Sequence, residues 1–523
     1  CGGVHIGFEI CEDAWVADRP GGLLAQRGVD IILNPSASHF AFGKQEIRRR
    51  FVLEGSRAYS VNYVYANMLG NEAGRAIYDG GTMIAACGHL LAEGYRFSFA
   101  DFHITSSVVD IESSRMNRAR ITSFKPETYV GQSEPVHVAF EFPAIDFERT
   151  CLVRPEWEDG RSVKEEEFAR AVALGLFDYL RKSYSGGFVV SLSGGADSSA
   201  VAILGWLATV LGTAELGTEA FLDKLDYITA LEELKSDPTT TPRDIVACLL
   251  SCVYQPTRNS SDITRNAARQ VAEAIGADFM EFDVDPLVEG YKSMIAENIG
   301  RDLVWERDDL ALQNIQARAR APGVWMLANI RGALLLSTSN RSEAAVGYAT
   351  MDGDTCGGLS PIAGIDKAFL RKWLCWMESP EGGPCCFDFE GNRILTNLPA
   401  LRFVNEQQPT AELRPQEASQ TDESDLMPYE LLDVIEKLGI RDKFSPLDIF
   451  KLLGKQFPQF DSRQLGNWIT RFFRLWSRNQ WKRERYAPSF HLDDENLDPK
   501  TWCRFPILSG GFSLELTRLW DYI

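Results

Sequence analysis

Residues 189–204 read "VVSLSGGADSSAVAIL". An apolar run ends, a cluster of small and polar residues follows, and a second apolar run begins. That order predicts a buried strand, a tight glycine-rich loop and a helix. Such a loop is an anion site, because a helix start leaves free N–H groups and a partial positive charge. Gly194 and Gly195 let the backbone approach an anion closely. Ser193, Ser198 and Ser199 add hydroxyl donors. Asp197 does not suit a bare phosphate cradle. It suits phosphate with Mg2+ between the two, since that ion takes one or two carboxylates plus phosphate oxygens. The alternative from these residues alone is a tight turn closed by a capping Ser or Asp. The stretch lacks the G-x-x-x-x-G-K-[ST] phosphate loop.

The chain has 523 residues, more than one hydrophobic core organises, so two or more domains are expected. Hydrophobic residues make up 45% and charged residues 24%, the balance of a globular protein. No apolar run reaches the roughly eighteen residues of a membrane span, so no membrane partner is expected. The net charge of −19 argues against a nucleic-acid partner. It does not exclude a nucleotide substrate, because a local site can outweigh the bulk field. Eleven Cys without framework spacing read as reduced thiols in a cytoplasmic protein. Cys248 with Cys252, and Cys385 with Cys386, have no second pair at zinc-ligand spacing, and the six His are dispersed. The chain begins "CGGVHIGFEI", with no initiator Met and no basic leader, which reads as entry inside a domain.

Residues 1–112 form a first α/β region of short strand-like runs ("VHIGFEI", "DIILNPS", "NYVYANML", "TMIAACGHLLAEG", "HITSSVVDIE") around one helical stretch, "GKQEIRRRFVLEGSRAYSV". Residues 113–160 are polar with Pro and Gly and read as a linker. Residues 161–523 form the second region. It opens with a helix, "SVKEEEFARAVALGLFDYLRKSY", and then alternates strand and helix. "DIVACLLSCVYQ" and "FMEFDV" read as further strands with the helix "SDITRNAARQVAEAIG" between them. The pattern predicts a doubly wound parallel sheet, interrupted by an insertion at 213–243.

"SGGADSS" closely resembles the SGGxDS loop of the N-type ATP pyrophosphatases, enzymes that cut ATP between its α and β phosphates and load AMP onto an acceptor. Three later stretches bear on the acceptor. They are "LALQNIQARARAPGVWMLAN" (310–329), "LLLSTSNRSEAAVGYATMDGDTCGGLSPIAGIDKAFLRKW" (334–373) and "PTAELRPQEASQTDESDLMPYELLD" (409–433). In this order they resemble the NAD+ synthetase family. The resemblance implies an adenine nucleotide alpha hydrolase-like domain that amidates deamido-NAD+ through an adenylated carboxylate. It implies that Ser191, Leu192, Ser193, Gly194, Gly195, Ala196, Asp197 and Ser198 hold ATP, with Thr338 and Lys367. It gives Mg2+ to Asp197 and Glu343, and deamido-NAD+ to Asn314, Arg318, Glu343, Asp354 and Lys482. Asp354 and Lys367 are expected on a loop that orders over the substrates. Met351 and Gln313 depart from ammonia-dependent relatives, which often carry Lys and an acid there. Family members form homodimers through the synthetase domain.

"GFEICEDAW" (7–15), with "ILNPSASHF", "GKQEIRRR", "YVYANMLGNE" and "YDGGTMIA", resembles the nitrilase superfamily. The resemblance implies the C-terminal part of an αββα sandwich acting as a glutaminase. Cys11 is its nucleophile, and Ser38 and Lys44 contact glutamine. Glu12 and Asp13 beside Cys11 argue against a free thiolate. The family's base Glu and its Lys precede the Cys by many residues, so both are expected upstream of residue 1. A nitrilase-like amidase followed by this synthetase is the layout of glutamine-dependent NAD+ synthetases. Two alternatives stay open: a non-catalytic amidase scaffold beside a synthetase fed by free ammonia, and another acceptor such as GMP.

Overall fold

The computed structural model describes residues 1–126, 135–143, 145, 155–388, 391–407, 412–414, 423 and 426–523. They fall into two units. The first is Cys1–Glu72 with Ala76–Glu167, and the second is Ala73–Arg75 with Phe168–Ile523. Part of the 409–433 stretch lies outside the described residues.

In the first unit the apolar runs become β1 (Ile6–Phe8), β2 (Ile31–Ser36), β3 (Asn62–Asn67), β4 (Leu69–Asn71), β5 (Ile77–Asp79), β6 (Thr82–Ala86) and β7 (His89–Glu93). The helices are α1 (Pro20–Gln26), α2 (Lys44–Tyr59) and α3 (Ile111–Arg120). The main sheet runs β1-β2-β3-β6-β7, parallel through β3 and antiparallel beyond, while β4 and β5 form a separate hairpin. Val52 of α2 packs with Ile32, Tyr63, Tyr65 and Met83 in its core. "TMIAACGHLLAEG" is two strands, because Cys87 and Gly88 take positive φ and turn the chain. "HITSSVVDIE" forms no strand. The start of the expected linker is helical, as α3. Arg115 pairs with the buried Asp30 at 2.7 Å, and Arg118 donates to the Val29 carbonyl. Ionic contacts seat this helix, so it carries no apolar stripe to read.

The second unit begins within α4 (Val163–Lys182), at Phe168, and contains β8 (Phe188–Ser191), α5 (Ala196–Leu216), α6 (Thr218–Asp223), α7 (Glu232–Ser236), α8 (Pro242–Leu249), β9 (Leu250–Tyr254), α9 (Asp262–Ile275) and β10 (Asp278–Glu281). Then follow α10 (Asp285–Ile299), α11 (Trp305–Ala319), α12 (Ala321–Arg331), β11 (Leu334–Leu336), α13 (Arg341–Val346) and α14 (Lys367–Glu378). Its sheet is parallel throughout, in the order β10-β9-β8-β11. The chain leaves β8 towards β9 and β10, then returns to place β11 on the other side of β8. That reversal opens a crevice at the carboxyl ends of β8 and β11, where open parallel sheets bind ligands.

Two local readings differ from the sequence expectation. "DIVACLLSCVYQ" is half helix, because Thr241 and Asp244 make a reciprocal cap and Pro242 starts α8. Within 213–243 the expected helix of the insertion is present as α6 and α7, and Phe221 of α6 stacks on Phe177 of α4 at 5.2 Å. By length and hydropathy α5 could cross a membrane, contrary to the expectation, but nearly all of it is buried in the core.

Behind the crevice lies a second cluster of buried apolar residues, drawn from α13 and from the helices Tyr429–Glu436, Pro446–Gln456 and Ser462–Arg478. At its edge the buried Arg341 guanidinium lies 2.8 Å from Glu436, 2.7 Å from Asp493, 3.1 Å from Glu495 and 3.3 Å from Asp366. Burial raises Glu436 and Glu495 above the usual carboxylate range even though Arg341 pulls both down. Arg341→Met removes that pull and should cost about 3–5 kcal/mol or more, the range for stranding a buried partner. An acid with a raised folded pKa supplies stability below its unfolded value, and that stability is lost as pH rises through the folded value. Urea midpoints should therefore fall further for the variant at about pH 8 than at about pH 6.

Candidate active sites

The loop after β8 and the loop after β11 face each other across a cavity of about 560 Å3. Ser191, Ser193, Gly195, Ala196, Asp197 and Ser198 line it from one side, and Thr338, Ser339 and Glu343 from the other. Gly194 has φ +82°, and a Cβ there would sit 2.1 Å from the Thr264 carbonyl oxygen of α9. Only glycine fits this close approach. Inside the loop, Ser193 N–H donates to Ser198 Oγ at 3.1 Å and Gly195 N–H donates to Ser193 Oγ at 3.3 Å. These bonds hold the start of α5 open to the cavity.

Asp197, at the second position of α5, and Glu343, in the first turn of α13, both meet the Lys367 ammonium. Lys367 Nζ donates to Asp197 Oδ2 and lies 3.3 Å from Glu343 Oε1. The Asn340 carboxamide donates to Asp197 Oδ1 at 3.0 Å, and its oxygen caps α13 by accepting Glu343 N–H at 2.9 Å. The expected loop at Lys367 is a helix start: Lys367 is the first residue of α14, with Asp366 as its cap. Its side chain is 3% exposed, so the ammonium is aimed inward rather than swinging in solvent.

The other expected contacts separate into those on the cavity wall and those off it. Asn314, Asp354 and Lys482 line it. Asn314 Oδ1 accepts the Thr350 hydroxyl at 2.9 Å, and Asp354 Oδ2 accepts Thr350 N–H at 2.7 Å. Lys482 Nζ donates to the Gly347 and Ala349 carbonyls at 2.7 and 2.8 Å, and burial holds its pKa below the usual lysine value. Arg318 does not line the cavity; its Nε donates to the Met351 carbonyl at 3.0 Å. The Leu192 side chain is fully buried, which leaves only its backbone for a ligand.

In the first unit Cys11 opens a short 3-10 helix, Cys11–Trp15, with φ +49°. A non-glycine residue held there is strained, as reactive positions often are. Asp13 closes the turn by accepting Ile10 N–H at 2.8 Å. Its charge is thus spent on a helix start. Two residues before Cys11, the buried Glu9 accepts from Arg19 at 2.8 Å, from Gly21 N–H at 2.9 Å and from the Tyr63 hydroxyl. Ser38 is held through its backbone by Asn67 and by Arg48, whose guanidinium also donates to Ser38 Oγ at 3.1 Å and pairs with the buried Asp79. Lys44 starts α2, with its ammonium 5.5 Å from the centre of the Trp15 ring.

A family profile described as NAD synthase matches residues 168–485. The chain is 32% identical to the glutamine-dependent NAD(+) synthetase of Homo sapiens over 95% of this chain and 70% of that protein. It is 29% identical to the Saccharomyces cerevisiae enzyme of the same name, over 96% of this chain and 72% of that protein. A crystal structure of a glutamine-dependent NAD(+) synthetase from Cytophaga hutchinsonii superposes with a TM-score of 0.75 at 42% identity, covering 98% of this chain and 73% of that one. The chain belongs to the glutamine-dependent NAD(+) synthetase family.

Several wall residues of this synthetase escape a sequence reading. Gln255 accepts the Ser191 hydroxyl at 2.9 Å and donates to the Arg320 carbonyl at 2.7 Å. Tyr254, Gln255 and Arg320 all line the cavity. The available signal was a polar residue directly after an apolar strand, at the end where ligands bind. Asn340 could have been found as the cap before "RSE". Asp197 and Glu343 offer hard carboxylate oxygens of the kind that Mg2+ takes, and the Lys367 ammonium lies between them. Among the described residues no cluster of three or more His, Cys, Asp or Glu has metal-holding geometry, so phosphate oxygens would have to complete the shell.

Gly194→Ala should weaken ATP binding at least about tenfold, since both the backbone angle and the Thr264 carbonyl oppose a Cβ. Calorimetric titration checks this, and an unchanged Kd would show that the loop does not need the close approach.

Proposed function

We propose that the cavity of the second unit carries out the synthetase step and that Cys11 carries out the glutaminase step. The overall reaction is that of the family: ATP-dependent amidation of deamido-NAD+ to NAD+, with AMP and pyrophosphate released and glutamine as nitrogen donor. The observation that carries the assignment is the meeting of Asp197, Glu343 and Lys367 over a glycine-rich helix start.

ATP lies along residues 191–198, with its phosphates at the N–H groups that begin α5. Asn314, Asp354 and Lys482 orient deamido-NAD+, with Arg318 acting through the 351 segment that it holds. The nicotinate carboxylate oxygen attacks the α-phosphate, and pyrophosphate leaves. Lys367 offsets the negative charge that grows on the phosphates, a preorganised contact of the kind worth about 10²–10³ in rate. Asp197 and Glu343 would hold Mg2+, whose charge would further neutralise the phosphates. Ammonia then attacks the acyl carbon of the mixed anhydride, AMP leaves and a proton is lost, giving the amide.

In the glutaminase step the Cys11 thiolate attacks the glutamine carboxamide. A thioester forms, ammonia leaves, and water releases glutamate. Ser38 and Lys44 position the glutamine. The resemblance assigns the base and the lysine of this step to no residue of this chain. Eleven Cys without disulfide-framework spacing fit a reaction that runs in the cytoplasm.

NAD+ formation from deamido-NAD+, ATP, Mg2+ and ammonium tests the synthetase half. Asp197→Asn and Lys367→Met should each lower kcat by about 10²–10³. Cys11→Ser should abolish any glutamine-supported formation and leave the ammonium-supported rate within about twofold. An Asp197→Asn enzyme at the normal rate would remove the assignment of the loop.

A homodimer accounts for a further feature. α10 exposes Leu287, Tyr291, Met294, Ile295 and Ile299 at helical spacing, and α12 exposes Met326 and Ile330. Contiguous exposed apolar stripes mark association surfaces. Tyr291→Lys with Met294→Glu should convert the dimer to monomer in sedimentation analysis. A dimer that persists would place the interface elsewhere.

A further inference from the structure

The helix Tyr429–Glu436 presents three side chains, at positions i, i+4 and i+7, to residues of α13 and of the start of α14. The Tyr429 ring centre lies 5.6 Å from Lys367 Nζ. Glu436 meets Arg341, which begins α13. Between them Asp433 makes two bonds. Its Oδ1 accepts the Ser342 hydroxyl at 2.5 Å, and its Oδ2 accepts Ala368 N–H at 3.0 Å. The Ser342 oxygen in turn accepts Lys367 N–H at 2.9 Å.

These bonds form one bridge. Ser342 precedes Glu343 on α13, while Lys367 and Ala368 are the first two residues of α14. Asp433 and Ser342 therefore tie the backbone that carries Glu343 to the backbone that carries Lys367. Asp366 caps the same turn by accepting Phe369 N–H at 2.6 Å. The site is a costly one for a carboxylate. Burial first, and the charge of Asp366 second, push the Asp433 carboxyl up to about 7. A buried charge in an acidic surround is a poor source of stability, so its value lies in the geometry it imposes.

We propose that Asp433, acting through Ser342, is a positioning residue that fixes the Lys367 ammonium relative to Glu343 and to the ATP phosphates. The inference rests on the role given to Lys367 above. A buried lysine aimed at phosphate is sensitive to its anchor, because misplacement of a reacting contact by about 1 Å costs on the order of 10²-fold.

The test is a double-mutant cycle on ammonium-dependent NAD+ formation, with Asp433→Asn, Lys367→Met and the two combined. Asp433→Asn should lower kcat about 10–100-fold while KM for deamido-NAD+ stays within about threefold. In the Lys367→Met background the same change should cost less than about twofold, since the group it positions is gone. An equal loss in both backgrounds, or a normal kcat for Asp433→Asn beside an inactive Lys367→Met, overturns the role of Asp433 alone. A normal kcat for Lys367→Met overturns the reading of Lys367 itself. Ser342→Ala leaves the buried charges in place and carries the same cycle should Asp433→Asn fail to fold. It should lower kcat about 5–10-fold in the native background and leave the Lys367→Met rate unchanged.

Discussion

One buried guanidinium organises the elements that carry Glu343 and Lys367 to the cavity of the second unit. Arg341 meets Glu436, Asp493, Glu495 and Asp366, which come from three separate places in the chain. Each of those carboxylates would be expensive to bury alone. Together around one cation they bind α13, the cap of α14, the helix Tyr429–Glu436 and the 493–495 segment into one block. Glu343 sits two residues after Arg341, and Lys367 sits one residue after Asp366. The placement of Glu343 and Lys367 thus follows from an ion cluster whose own members do not line the cavity.

The crevice comes from topology and the closeness of its walls comes from glycine. β8 and β11 are neighbours although nearly 150 residues separate them in sequence, because the chain builds β9 and β10 before it returns. Gly194 lets the first loop press against α9, which brings the start of α5 within reach of Glu343 and Lys367. The chain carries a net charge of −19, yet the cavity wall sets Arg320, Lys367, Arg371, Arg414 and Lys482 against Asp197, Asp309, Glu343, Asp354 and Glu412. Its local charge is balanced where the chain as a whole is acidic.

In the first unit two acids near Cys11 are held by other groups. Asp13 is turned to its own helix start, and Glu9 is absorbed by Arg19, Gly21 and Tyr63. The chain positions Cys11 by a strained turn and surrounds Ser38 with fixed donors from Arg48 and Asn67.

The sequence by itself determined the elements whose signal is local. The strand, glycine loop and helix at 188–216 follow from hydrophobic runs broken by small residues. The α/β class follows from their alternation, and an anion site from the residue types in the loop, while the synthetase chemistry came from the resemblance of the loop and the later motifs to a known family. What depended on distant partners was decided only in the folded chain. α3 is a helix because Asp30 is there to take its arginines. The boundary between α8 and β9 falls where a capping box wins over an apolar run that fits either period. Lys367 begins a helix rather than riding a loop because Asp366 caps it and Asp433 and Ser342 hold its first turn. Arg318 turns to a backbone carbonyl, away from the cavity wall. Periodicity records which face of an element is buried. It holds no record of which buried charge will meet which, because those pairings form across the sheet and between elements far apart in sequence, 170 residues for Asp197 and Lys367.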